Sequence, residues 1–228
     1  MGREILKLQK DIKAPSQEEM DITDGDFVEK YIQEYQPDIV LHLAAATNPP
    51  EHNSRPDLGL RVNIIGTANI SLTCVKAGIR LVYASSDYIY IGPGPHKENE
   101  PVKPTGNFYL SKFGGECAAA LCPKHLILRL SFGPVPFPWE SVYDNQLNSK
   151  LYADEMAPLV LAAAKTTETG IMNLGGPITS LLDYARRTRK DIKTIPTPAW
   201  VPKDTSLDIS RMKAALNIPD ESKLLKHF

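Results

Sequence analysis

Residues 37–46, PDIVLHLAAA, constrain the fold more than any other stretch. A short, nearly continuous apolar run that ends in small residues suits a parallel strand covered on both faces. Helix and strand signals alternate around it. Upstream, DIKAPS (11–16) reads as a short strand ended at Pro15, and DGDFVEKYIQEY (24–35) places Phe27, Tyr31 and Tyr35 four apart on one helical face, with Asp24 as N-cap. Downstream, residues 60–78 read as a helix closed by Gly78, and RLVYASS (80–86) as a strand. Residues 91–106 hold four prolines and three glycines, the mark of a loop. Helices over 107–121, 154–166 and 179–189, the last capped by Thr179, then alternate with strands over 125–131 and 170–176. Residues 133–150 read as irregular and aromatic. Strands alternating with helices predict βαβ units in a doubly wound, parallel α/β sheet.

The bulk properties narrow the function. A chain of 228 residues makes one domain of ordinary size, or one with an appendage. The division expected is a core over 1–132 and a smaller region over 133–228 that returns βα elements to it. Its 26 basic and 27 acidic residues nearly cancel without clustering, which argues against a nucleic-acid partner. No apolar run is read as reaching the ~20 residues of a membrane span, and MGREILKLQK lacks the apolar region of a secretory leader. Cys74, Cys117 and Cys122 fit neither a disulfide framework nor a zinc site, so reduced thiols in a cytoplasmic protein are expected. His42, His125 and His227 are dispersed, and no metal site is expected.

The segments DITD, PDIVLHLAAAT, VNIIGTANI, VYASSDYIY, YLSK, LILRLSF and SLDIS, in that order, resemble the extended short-chain dehydrogenases. Within them the similarity is to the dTDP-4-dehydrorhamnose reductase branch of nucleotide-sugar reductases and epimerases. The resemblance implies a Rossmann-like fold, NADP or NAD as cofactor and a nucleotide-sugar as substrate; a homodimer is left open. It places Gly2 at the phosphate turn, Asp21 and Ile22 at the adenine, and Ala44, Ala45 and Ala46 where small side chains let a cofactor approach the backbone. Asn63 matches an asparagine holding a proton relay. Ser86, with Ser85 as the neighbouring alternative, matches the residue that donates to a substrate carbonyl. Lys112 matches the lysine that binds ribose and tunes a tyrosine. Asp87, Arg129, Trp139, Tyr143 and Gln146 fall where the nucleotide-sugar is held. Ser16 and Gln17 are neutral where charge would choose between NADP and NAD.

Two departures matter. MGRE matches only the last glycine of the family's phosphate turn and the start of its first helix. An open sheet is therefore expected, unless residues 11–16 fill the gap, and dinucleotide binding is expected to be weak. Phe108 also stands four residues before Lys112, where the family has its catalytic tyrosine; Tyr109 is one place late. Neighbouring helix positions differ by about 100° around the axis, so Tyr109 is the candidate proton donor only if the helix shifts register. The competing expectation is a non-catalytic binding or regulatory subunit.

Overall fold

The computed structural model describes residues 1–199 and 201–227. Eight helices are α1 (Gly2–Leu8), α2 (Gly25–Tyr35), α3 (Pro49–Ser54), α4 (Pro56–Ala77), α5 (Asn107–Ala120), α6 (Ala153–Lys165), α7 (Leu181–Arg186) and α8 (Ser210–Leu216). The main sheet is parallel and four-stranded, in the order β1 (Ile39–His42), β2 (Arg80–Ala84), β3 (His125–Leu130), β8 (Gly170–Leu174). Helical crossovers α4, α5 and α6 join successive strands. Short strands β4 (Phe132–Gly133), β5 (Ser141–Tyr143), β6 (Leu147–Asn148), β7 (Leu151–Tyr152), β9 (Thr179–Ser180), β10 (Lys193–Ile195) and β11 (Asp204–Thr205) build three small sheets in the second half.

The sheet is covered on both faces. Along β3, Leu126, Leu128 and Leu130 join Ile5, Met156, Val160, Met172 and Met212 in one core, while Ile127 joins Val28, Ile32, Ile70, Leu81 and Tyr83 in the other. This split follows from the two-residue period of a strand. The second-half segment 153–174 supplies α6 and β8 to the main sheet.

Three expectations are corrected. Residues 11–16 form no strand and β1 is the sheet edge; that segment offers only Ile12 and Ala14 as apolar side chains, and Pro15 lacks a ladder donor. Helix α7 begins at Leu181, with Ser180 rather than Thr179 as cap, because Thr179–Ser180 is drawn into an antiparallel pair with Leu147–Asn148. Helix α4 has the length and composition of a membrane span, with mean hydropathy 1.3 over its most apolar window. In the fold it packs on α2 and α5 and turns Asn63 and Thr67 inward.

Residues Gly59–Gly66 of α4 form a π-helical segment, and Gly115 of α5 lies against it. A Cβ on Gly115 would sit 2.5 Å from both the Asn63 carbonyl oxygen and the Tyr83 hydroxyl. Gly115→Ala should therefore lower stability by ~1–3 kcal/mol in thermal or denaturant unfolding, despite the better helix propensity of alanine. An unchanged or raised stability would contradict this packing.

Candidate active site at the carboxyl edge of the sheet

The site is assembled where β1 and β2 end and α5 begins. Asn63 is 1% exposed, inside the π-helical segment, a type of distortion frequent at functional sites. Its Oδ1 accepts from Ala46 N at 2.9 Å, and its Nδ2 donates to Ala46 O at 3.1 Å and Ser111 Oγ at 2.8 Å. Ser111 Oγ in turn donates to Phe108 O at 2.6 Å. One amide thus fixes the ledge after β1 to the second turn of α5. Ala44 is exposed on that ledge, with Ala45 and Ala46 half-buried. The sequence reading missed His52. It is fully buried, donates from Nδ1 to Asn48 O at 2.8 Å, and its ring meets Phe108 edge-on at 5.2 Å. Its only sequence signal was a histidine four residues after Asn48, which did not separate it from any surface histidine.

Lys112 is 6% exposed. Its Nζ donates to Ala84 O at 2.7 Å and lies 4.4 Å from the centre of the Tyr83 ring. Burial brings the ammonium pKa down to about 7, against the pull of Glu116. Ser86 Oγ accepts from Tyr88 N at 3.2 Å and lies 3.4 Å from Asp87 Oδ1, leaving its hydroxyl weakly engaged. Ser85, the alternative, donates to Glu116 Oε2 at 2.5 Å and is committed to the interior.

Tyr109 turns elsewhere. Its ring lies flat on Tyr88, with centroids 4.9 Å apart and planes at 9°, and no hydrogen bond links it to Lys112. Burial, then Asp87 and Tyr143, push its phenol well above the ordinary range. The candidate proton donor is therefore set apart from the lysine, and the phenyl ring of Phe108 lies against His52, which in turn reaches Asn63.

Five further residues expected at the sugar are placed as follows. Arg129 is 3% exposed and fully engaged: Nη2 and Nε hold Glu116 at 2.6 and 3.2 Å, and Nη1 donates to the Tyr90 hydroxyl at 2.8 Å and Glu98 O at 3.1 Å. A buried, charge-assisted fork of this kind belongs to the framework. Trp139 is 54% exposed and rests on Phe137, which packs with Tyr152 and Tyr184 in a separate cluster. Gln146 spends its amide hydrogens on the Tyr88 hydroxyl at 3.0 Å and Pro202 O at 2.9 Å, so it braces the stacked tyrosines, while its Oε1 is buried without a partner. Tyr143 is half-buried near Tyr88 and Tyr109 and disfavours their ionisation. Asp87 is 1% exposed. Its Oδ2 and Thr205 Oγ1 are buried without a well-formed hydrogen bond, although Thr205 lies near enough to favour the carboxylate.

The other residues expected at a dinucleotide lie before β1 in the chain. Ser16, Gln17, Glu18 and Asp21 line an open recess. Asp21 Oδ1 accepts from Thr23 N and Oγ1, both at 2.9 Å, closing a turn before Asp24 caps α2. The Ile22 side chain lies in the core, beneath Gly66, and its carbonyl accepts from Asn69. Gly2 opens α1, and a Cβ there would meet nothing within 4 Å. The described residues offer a recess lined by Ser16, Gln17, Glu18 and Asp21 at one end and the Ala44–Ala46 ledge at the other. They form no tight glycine cradle between those ends.

Residues 1–133, more than half of the chain, match the family described as RmlD substrate binding domain. The chain is 32% identical over 124 residues to a dTDP-4-dehydrorhamnose reductase of Streptomyces griseus, covering 52% of this chain and 41% of that protein. It is 30% identical over 105 residues to methionine adenosyltransferase 2 subunit beta of Rattus norvegicus, covering 46% and 31%. In these alignments the chain spans less than half the length of either relative. The fold is similar to a dTDP-4-dehydrorhamnose reductase from Bacillus anthracis in complex with NADP, at TM-score 0.81 and 22% identity over 93% of this chain and 88% of that one.

Burial, opposed by Lys150 and Thr205, pushes the Asp87 carboxyl up to about 6 from 3.8. A raised carboxyl costs stability where it is charged in the fold, above about 6, and the cost is relieved as pH falls towards 3.8. Asp87→Asn should therefore be more stable than the parent at pH 7–8, with the gap in melting temperature closing between pH 6 and 4. A gap that is independent of pH would contradict the burial of this carboxylate.

Proposed function

Because this chain belongs to the RmlD substrate binding domain family, we propose that it is a nucleotide-sugar reductase-like protein whose reaction class is reduction of a 4-keto sugar. The cofactor is NADP(H) or NAD(H), the substrate a deoxynucleotide-linked sugar of the kind that dTDP-4-dehydrorhamnose reductases are named for. The observation that carries this reading is the buried Lys112 ammonium, hydrogen-bonded to the carbonyl that ends β2, two residues before Ser86.

Each residue has a task in this reading. Asn63 holds the Ala46 peptide in place, so that the ledge meets a ligand without rearranging. Lys112 keeps donors beyond the one given to Ala84, and these suit ribose hydroxyls. Ser86 Oγ, only weakly held by its neighbours, donates to a carbonyl oxygen as negative charge develops there. A bound reduced nicotinamide supplies the hydride. The remaining step, delivery of a proton to that oxygen, has no side chain in the family position, because Phe108 carries no exchangeable proton and Tyr109 is stacked on Tyr88.

That gap supports a second reading, a non-catalytic subunit. The similarity to methionine adenosyltransferase 2 subunit beta, a protein named as a subunit, favours it independently.

Restoring the acid separates the two. Positioned acid–base groups contribute ~10²–10⁴-fold. Under the first reading, Phe108→Tyr raises NADPH-dependent reduction of a dTDP-4-keto-6-deoxyhexose by that order, while Tyr109→Phe changes the parent's rate little. If Phe108→Tyr gains nothing and calorimetry detects no dinucleotide binding, the subunit reading stands. If Tyr109→Phe abolishes turnover, Tyr109 is the acid and its stacking on Tyr88 gives way in the working enzyme.

A further inference from the structure

Helix α5 carries a second buried charge that the sequence did not single out. Glu116 lies four residues after Lys112, on the same helix face, and is 3% exposed. Its carboxylate is a hub. Oε2 accepts from Ser85 Oγ at 2.5 Å, and Oε1 accepts from Arg129 Nη2 at 2.6 Å and Nε at 3.2 Å. Arg129 continues to the Tyr90 hydroxyl, which donates to Asn173 Oδ1 at 2.9 Å; Asn173 in turn donates to His96 O at 2.8 Å and Asp208 O at 3.2 Å. This polar chain runs from the residue before Ser86 to β8 and the loop that precedes α8.

We propose that Glu116 is a positioning residue for this site: one buried carboxylate fixes the Ser85–Ser86 turn and holds the charge on Lys112. The inference rests on the reductase-like reading, and concerns how its lysine and serine are kept in register. Successive residues of an extended segment face opposite ways, so anchoring Ser85 inward to Glu116 directs Ser86 outward. The groups facing the ammonium are the Ala84 carbonyl and the Tyr83 ring from β2, His42 from β1 and Glu116 from its own helix. Burial keeps His42 neutral, with its pKa down to about 3. Glu116 is therefore the one carboxylate that offsets the desolvation of Lys112. Arg129 shares that carboxylate and keeps the pair satisfied.

The test is an NMR titration of the Lys112 side chain in lysine-labelled protein, assigned with Lys112→Met. Glu116→Gln should lower the Lys112 midpoint by about one unit, a tenfold change in the ratio of charged to neutral amine. Glu116→Asp, which keeps the charge, should restore much of it. A merely loosened structure would hydrate the amine and move the midpoint the other way, towards the ordinary 10.5. Should Glu116→Gln strand Arg129 and fail to fold, the double variant Glu116→Gln/Arg129→Met removes both buried charges and should show a smaller fall in the same direction, because loss of the Arg129 cation partly offsets loss of the carboxylate. A midpoint that rises or does not move in the folded variants overturns the proposal. This readout needs no cofactor or substrate, so failure of the parent to bind NADPH would count against the reductase reading and leave the Glu116 result standing.

Discussion

The side-chain amide of Asn63 is the contact on which the rest of the site depends. It satisfies both the N–H and the C=O of Ala46, and then reaches Ser111 on another helix. Leaving a buried donor or acceptor unpaired costs ~1–3 kcal/mol, so the ledge after β1 and the start of α5 move together or not at all. The π-helical widening of α4 brings this amide against α5, and Gly115 lets the two backbones approach. Around that approach lie the Ala44–Ala46 ledge, the buried Lys112 and, two residues beyond the Ala84 carbonyl that Lys112 holds, Ser86.

Polar groups in the interior are chained rather than scattered. His42 meets Thr67, whose hydroxyl donates to Asn63 O, and the Tyr83 hydroxyl donates to Lys112 O. Ser85, Glu116, Arg129, Tyr90 and Asn173 form a second chain that reaches β8. A buried ion pair is weak support for stability, because desolvation offsets much of its attraction. The Glu116–Arg129 pair is better understood as a device for register, tying three strand ends and one helix at fixed distances. The tyrosine stack plays the corresponding part further along, where Gln146, itself held by the Pro202 carbonyl, braces Tyr88 against Tyr109.

Much of this was legible in the sequence, and for identifiable reasons. The apolar run before LAAA, the Gly78 stop and the Asp24 cap are local signals, and the structure uses each one locally. Asn63, Ser86 and Lys112 stand out by their order along the chain, and the structure buries all three. Arg129 could not be told from a ligand-binding arginine, because its partner Glu116 is thirteen residues away across a strand and a helix. Trp139 carried an aromatic signal that suited a ligand, but the ladders of the second half turned it outward. Residues 11–16 had a strand-like pattern without a ladder to join, and tertiary pairing decides such cases. His52 lay hidden because burial, not spacing, gives it a role.

The central claim is that Phe108 packs against His52 while Tyr109 is withdrawn from Lys112 onto Tyr88. A nuclear Overhauser spectrum of the chain with labelled tyrosine and lysine tests it directly. The account predicts strong contacts between the Tyr109 and Tyr88 rings, contacts from the Lys112 terminal methylene to the Tyr83 ring, and none from that methylene to Tyr109. Contacts between Tyr109 and the Lys112 methylene, with those to Tyr88 lost, would contradict it.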